Sequence, residues 1–396
     1  MRNSIIIICI FLFITILPDI ILYLGYIRHM HKKWPKVLHW SLTASCFLGI
    51  FIMSVSLQNS ENCEQLQIFM WFDWILLTIY IPKFLFSLFF VANKLLNRFL
   101  SIHYQFISYL GAGLAVLSFF GFIYGAFIGR FDVETKRVEI ACNALPPAFD
   151  GLKIVQLSDL HTGSFRANSI FWKTAVAKVN AEHPDIIVMT GDMIDNFASE
   201  LNPSTIEELS QLKAKISKYA ILGNHDYGDY TNWPSAEAKK ANFDSLKQRE
   251  RRMGFHLLID EHVFLTKLTD TLVIAGVQNW SKPPFHCYGN LAKAMSGTER
   301  FPYVLLLSHD PNHWMAQAVH YPNIRLTLSG HTHGMQLGIH RWGIHWSPAQ
   351  WMFKQWDGLY FYQDKALYVN RGLGYIGIPL RLGMPPEITV LTLRRR

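Results

Sequence analysis

Up to about residue 130 the apolar residues run in long unbroken stretches. Beyond it they come in short bursts, each closed by polar residues. The long stretches cover 4–27, 37–57, 66–91 and 105–129. Each reaches the ~20 residues that a helix needs to cross a bilayer. None alternates faces as a helix at a water boundary does. The first is read as an uncleaved span, because Arg2 alone precedes it and no small-residue cleavage site follows. Trp40, Trp71, Trp74, Tyr104 and Tyr124 are placed to anchor helices at an interface. The pattern predicts an all-α membrane domain of four transmembrane helices over 1–130.

Charge in the short loops orients these spans. Arg28, Lys32, Lys33 and Lys36 follow the first, and Lys94 and Arg98 follow the third. The loop 59–65 has no lysine or arginine and carries Glu61 and Glu64. Basic loops stay in the cytoplasm. A multi-pass integral membrane protein with an extracytoplasmic C-terminal domain is therefore expected, although Arg130, Lys136 and Arg137 run against the pattern. Asp19, Asp73 and Lys83 lie in or near the spans and read as positions near span ends or as a structural pair.

From 131 to 396 the rhythm is that of an α/β domain. Short Val/Ile/Leu-rich runs at 152–157, 185–190, 219–222, 271–277, 303–307 and 324–328 read as buried strands, with later strands at 366–370 and 388–393. Helical segments are expected at 168–182, 204–217, 234–253 and 311–320. Strands alternating with helices, then further strands, predict stacked sheets flanked by helices.

Five polar blocks stand at or just after the ends of these strands. They are Ser158-Asp159-Leu160-His161, Gly191-Asp192-Met193-Ile194-Asp195, Gly223-Asn224-His225-Asp226, Ser308-His309-Asp310 and Gly330-His331-Thr332-His333-Gly334. In open α/β sheets ligands bind beyond the carboxyl ends of strands, so the blocks are expected to meet on one rim. They hold oxygen and imidazole ligands and no thiolate, a set suited to Mn, Fe or Zn. Two such ions held close together can clamp a phosphate and activate a water, which points to phosphoester hydrolysis. Gly191, Gly223 and Gly330 are expected to permit tight turns. His313, His320, His340 and His345 match no motif and read as surface or packing histidines.

Composition removes some alternatives. The formal net charge of +8 is spread thinly, with 9 Lys+Arg against 4 Asp+Glu over residues 1–130 and 28 against 25 over the rest. A nucleic-acid-binding surface needs clustered basic residues, so no nucleic-acid partner is expected. The five cysteines are scattered without a C-x-x-C pair, which argues against a zinc ribbon or a disulfide scaffold. Cys142 and Cys287 can pair if their domain is exported, or stay as free thiols.

The five blocks, in this order, resemble the calcineurin-like metallophosphoesterase superfamily. The stretch 368–374 with Pro385-Pro386-Glu387-Ile388 resembles its membrane-anchored bacterial branch. The resemblance implies a four-layer αββα sandwich and two divalent metal ions. Asp159, His161 and His333 would bind the first ion, Asn224, His309 and His331 the second, and Asp192 both. A hydroxide held between the ions would attack phosphorus. His225 would stand at the leaving group as donor or general acid, with Asp226 orienting it or supporting a ligand. Asp195 would buttress the rim, and the fork of Arg371 would contact substrate phosphate. Met335 stands where the family often has a second glycine.

The stretch 342–362 is rich in tryptophan, tyrosine and phenylalanine and reads as an aromatic loop beside the site. On a membrane-anchored domain it suggests a lipid-linked phosphate or pyrophosphate substrate, or else a loop resting on its own domain or on the membrane interface. The alternative to an enzyme is a catalytically silent membrane sensor or scaffold that keeps the fold.

Overall fold

A computed structural model describes residues 2–57, 63–101, 103–165 and 170–396; the side chains of residues 2–13, 54–57 and 63 fall outside that description. The chain divides into two compact units, one built from residues 1–60 and 68–127 and the other from 61–67 and 128–396.

The first unit contains α1 (Arg2–Gly25), α2 (Trp34–Leu57), α3 (Cys63–Leu100) and α4 (Phe106–Phe127). Among the described residues, Trp34–Met53, Glu64–Leu100 and Phe106–Phe131 are long and apolar enough to cross a membrane. The expected first span, 4–27, falls on α1, and the side chains of its residues 4–13 lie outside the described residues, as does most of the loop 59–65. Asp19 is buried in this unit. Its carboxylate accepts from Thr43 Oγ1 at 2.6 Å, Lys83 Nζ at 2.7 Å and Tyr80 OH at 3.3 Å. Asp19 and Lys83 are thus a pair between helices, compensated on the spot as a buried charge must be.

In the second unit the elements are, in chain order, β1 (Glu134–Ala141), β2 (Lys153–Leu157), α5 (Ile170–Ala181), β3 (Ile186–Met189), α6 (Pro203–Ser210), β4 (Ser217–Ala220), α7 (Ala236–Arg252), β5 (Phe255–Leu257), β6 (Glu261–Lys267), β7 (Asp270–Gly276), α8 (Leu291–Met295), β8 (Val304–Leu307), α9 (Asn312–Ala316), β9 (Ile324–Ser329), β10 (Ile339–Arg341), β11 (Ile344–Trp346), β12 (Gly358–Tyr362), β13 (Lys365–Val369) and β14 (Glu387–Arg394). The predicted helix 204–217 ends early, because the chain turns after Ser210 and Ser217 already opens β4. The aromatic stretch is not one loop: it holds a hairpin, a short helical turn and the edge strand β12. Residues 168 and 169 of the predicted helix 168–182 lie outside the described residues.

Two six-stranded sheets result, in the orders β1-β14-β2-β3-β4-β5 and β12-β13-β9-β8-β7-β6. Strands β2 to β5 are mutually parallel, as are β7, β8, β9 and β13. One core lies between the sheets, where Ile154, Ile186, Val188, Tyr219 and Ile221 meet Leu272, Ile274, Leu305, Leu307, Leu326 and Leu328. Alternate residues point to opposite faces of a strand, and Val155, Leu157, Ile187 and Met189 on the other face are equally buried. That face carries the crossover helices α5 to α7, as parallel connections require. On the far side of the second sheet, Val273, Ala275, Val304 and Leu306 pack with Leu291 of α8 and Trp314 of α9. Helix, sheet, sheet, helix gives the four layers. Cys142 and Cys287 are free thiols.

Candidate metal centre

The carboxyl ends of six parallel strands face one rim, and every polar block starts there. β2 delivers Asp159 and His161, β3 delivers Asp192 and Asp195, and β4 delivers Asn224, His225 and Asp226. β8 delivers His309, β9 delivers His331 and His333, and β13 delivers the loop 370–374. The main chain stitches the blocks together: Asp159 N donates to Gly191 O at 2.9 Å, His161 N to Asp192 O at 3.1 Å and Gly330 N to His309 O at 3.0 Å.

All seven predicted ligand positions converge, in two groups. In the first, His161 Nε2 and His333 Nε2 are 3.1 Å apart, and His333 Nε2 lies 3.2 Å from Asp159 Oδ1. In the second, His309 Nε2 lies 3.1 Å from Asn224 Oδ1 and 3.2 Å from His331 Nδ1. Asp192 stands between them: its Oδ2 is 3.7 Å from His161 Nε2 and 3.1 Å from His309 Nε2. His331 and His333, two positions apart, thus serve different groups. Asp159 His161 His333 and Asp192 His309 His331 each bring their ligand atoms within 4.8 Å.

The donor chemistry fits divalent cations. Asp159 and Asp192 are fully buried. Burial alone would raise their pKa values, but His333 beside Asp159, and His309 and His225 beside Asp192, hold both carboxyls well below the usual range. Buried carboxylates need a counter-charge. Arg381, next to His333, spends its guanidinium on the carbonyls of Arg371, Gly372, Gly374 and Met384, with one contact of 3.3 Å to His333 Nδ1. The site is therefore built of imidazole nitrogens, carboxylate oxygens and one amide oxygen that face each other, a donor set that suits divalent metal.

The backbone records the same demand. Asp159, His161, Asp192, His331 and His333 all adopt left-handed conformations, with φ between 43° and 73°. Each costs a non-glycine residue about 1–2 kcal/mol, and such strain persists only where surrounding bonds over-determine it. Glycines do the remaining work through close approach more than through turning. A Cβ on Gly330 would overlap Ser158 Oγ and Asp159 Oδ2, and one on Gly191 would meet Gly223 N at 2.5 Å and His309 Nδ1 at 2.9 Å.

Around the ligands sit residues that aim them. Asp195 faces His161 Nδ1 with its carboxylate at 3.0 Å and His225 Nδ1 with its main-chain carbonyl at 2.8 Å. Both contacts favour a proton on Nδ1 and leave Nε2 of each ring for the site. Asp226 does not reach His225. It accepts the main-chain N–H groups of Asp192 (2.9 Å), Met193 (2.9 Å), Ile194 (3.3 Å) and Gly223 (2.8 Å). Glu200 likewise takes N–H groups of Gly163, Asp195, Asn196 and Phe197. Glu200 and Arg381 border the site and are not legible in the motifs, because most of their partners are main-chain atoms outside the five blocks.

Arg371 departs from the expectation. It is buried, with Nε 2.7 Å from Glu387 Oε2, a second nitrogen 2.7 Å from Glu134 Oε2, and Asp357 Oδ1 at 3.5 Å. Nε and one terminal nitrogen are committed to carboxylates and the other lies beside Met384 Sδ at 3.9 Å, so the fully buried side chain is enclosed among its partners and not presented to a substrate. A cleft of about 130 Å³ opens beside Asn224, walled by Asp229, Tyr230, Asn279 and Phe285. Tyr230 OH accepts from Asn224 Nδ2 at 2.9 Å and its ring stacks on His225.

Residues 152–335 match the family described as calcineurin-like phosphoesterase. Residues 1–130 match the one described as probable calcineurin-like phosphoesterase, transmembrane domain. A metallophosphoesterase of Bacillus subtilis, YkuE, is 32% identical over 275 residues, which cover 69% of this chain and 90% of that protein. A second from the same organism, YkoQ, is 30% identical over 292 residues, covering 70% and 96%. A transmembrane protein with metallophosphoesterase domain from Danio rerio is 32% identical over 287 residues, covering 69% of this chain and 60% of that longer protein.

Proposed function

The chain belongs to the calcineurin-like metallophosphoesterase family as an integral membrane protein, a metal-dependent phosphoesterase, and from that premise we propose that its central site holds two divalent cations bridged by Asp192 and hydrolyses a lipid-linked phosphoester or pyrophosphate. The observation that carries the two-ion reading is the place of Asp192 Oδ2 between His161 Nε2 and His309 Nε2. Asp159, His161 and His333 would hold one ion, and Asn224, His309 and His331 the other. Bound there, Mn, Fe or Zn ions would make water nucleophilic at neutral pH and neutralise charge on the phosphoryl oxygens.

This chain's own residues supply the rest. His225 has its Nδ1 committed to Asp195 O, so Nε2 is the nitrogen left for a leaving-group oxygen. Burial lowers the pKa of His225. As donor or general acid it would give the proton on Nε2 to that oxygen as the phosphorus–oxygen bond breaks. Asp226 acts as a positioning residue through the loop of Asp192. The cleft at Tyr230 and Phe285 receives the leaving group.

Two features favour a lipid-linked substrate. Phe353 meets the ring of His331 edge-on at 5.5 Å, and the neighbouring Trp351 and Met352 are 74% and 65% exposed. An apolar surface thus begins at a ligand residue. The site and the membrane-spanning helices belong to one chain, which suits a substrate itself held at a bilayer. The loop charges support a multi-pass arrangement with this domain outside the cytoplasm.

Metal-loaded protein in detergent, assayed in parallel on long-chain lipid pyrophosphates and on soluble nucleotides, tests the substrate class. Preference for the lipids by at least tenfold in kcat/KM is expected. Equal or faster turnover of the nucleotides would overturn it.

A further inference from the structure

We propose that His340, His345 and Asp357 form a zinc site of their own, separate from the central one, that pins the hairpin β10–β11 to the rim. The two histidines, spaced H-x4-H, lie directly opposite each other in the register of the hairpin. Cross-strand partners present side chains on one face, and the rings are 4.6 Å apart. Both aim at a single oxygen: His345 Nε2 is 2.9 Å and His340 Nδ1 3.3 Å from Asp357 Oδ2. The three ligand atoms lie within 4.8 Å of one another. Tetrahedral zinc with nitrogen and oxygen at ~2.0–2.1 Å sets its ligands about 3.3 Å apart. The two nitrogen–oxygen separations, 2.9 and 3.3 Å, are close to that spacing.

Charge favours a cation there. The other oxygen of Asp357, Oδ1, is turned to Arg371 Nε at 3.5 Å and Lys136 Nζ at 3.6 Å. Those two cations also serve Glu387 and, through Arg371, Glu134. Three carboxylates share two positive charges, so one negative charge remains beneath two imidazoles. Two imidazoles with one carboxylate suit zinc rather than magnesium or calcium. The side chains of His340 and His345 are 40% and 42% exposed, which gives the ion an entry path and leaves a fourth position to water.

The consequence reaches the central site. His345 stacks on Trp356 at 4.3 Å, and the Trp356 carbonyl accepts from Thr332 Oγ1 at 2.6 Å. Ser347 Oγ donates to Gly334 O at 2.6 Å. Zinc would fasten the hairpin, with Trp342 89% exposed at its turn, to the segment that carries His331 and His333.

The full chain in detergent, stripped with chelator, reloaded with zinc chloride and desalted, is tested for zinc per chain and for hydrogen exchange over 339–346. The variant His340→Ala/His345→Ala removes two half-exposed side chains, and circular dichroism checks that its sheets remain. It is expected to hold one zinc fewer than the wild type and to lose the zinc-dependent exchange protection. Asp192→Ala, which attacks the central site, is expected to keep that protection, so failure of the central reading and failure of this one are distinguishable. Equal zinc content in the wild type and the double-histidine variant, or protection that persists without the histidines, would overturn the proposal.

Discussion

Asp226 accepts the main-chain N–H of Asp192 at 2.9 Å, so its carboxylate holds the backbone of the residue proposed to bridge the metals. Three further N–H groups, from Met193, Ile194 and Gly223, complete the same carboxylate's partners. Asp226→Ala leaves all four unmet at ~1–3 kcal/mol each if buried. Metal affinity is expected to fall by about 10–100-fold, with Asp226→Asn intermediate. Metal titration of stripped protein checks this; unchanged affinity in the alanine variant would remove the positioning role.

Gly330 has no room for a side chain, because a Cβ would overlap Ser158 Oγ and Asp159 Oδ2. Gly330→Ala is therefore expected to displace Asp159 and abolish tight binding at the first metal group. Metal content after desalting is the readout, with circular dichroism to confirm that the sheets remain.

Met335 holds φ 48° directly after Gly334. A left-handed methionine costs about 1–2 kcal/mol that glycine does not, partly offset by the greater freedom of glycine in the unfolded chain. Met335→Gly is expected to raise the unfolding midpoint, by a net gain of about 0.5–1 kcal/mol, without loss of bound metal. A lower midpoint would show that the side chain contributes packing that outweighs its strain.

His313 is buried, with Nδ1 2.8 Å from Ser308 Oγ and Nε2 3.1 Å from Gln317 Oε1. Burial pushes its pKa down to about 4, against ~6.5 in the unfolded chain. The unfolded state binds the proton more readily, so this group's stabilisation is complete above pH ~6.5 and is lost as pH falls towards 4. The loss is about 3 kcal/mol at most. Unfolding midpoints measured between pH 4 and 7 should fall less steeply in His313→Gln than in the wild type.

The motifs were legible in the sequence because turn chemistry and ligand chemistry coincide in them: each pairs glycine or serine with a histidine, aspartate or asparagine at a strand end. The central strands showed because both their faces are buried, giving unbroken runs such as 186–189. β1 was missed because it is an edge strand whose Lys136, Arg137 and Glu139 break the apolar pattern. The hairpin was missed because its residues are all exposed. The fork of Arg371 suits a phosphate, which is what its sequence context suggests. Its carboxylate partners Glu134 and Glu387 are distant in sequence and only the fold unites them. The spacing of His340 and His345 was visible, but the carboxylate beneath them was not.

Asp192→Ala compared with the wild type, by divalent metal per chain and by hydrolysis of a p-nitrophenyl phosphodiester, tests the two-ion site most directly. The wild type should retain two ions at the central site, and the variant should lose metal there and at least about 1000-fold in rate. A variant that keeps both its metal and its rate would contradict the bridging place assigned to Asp192.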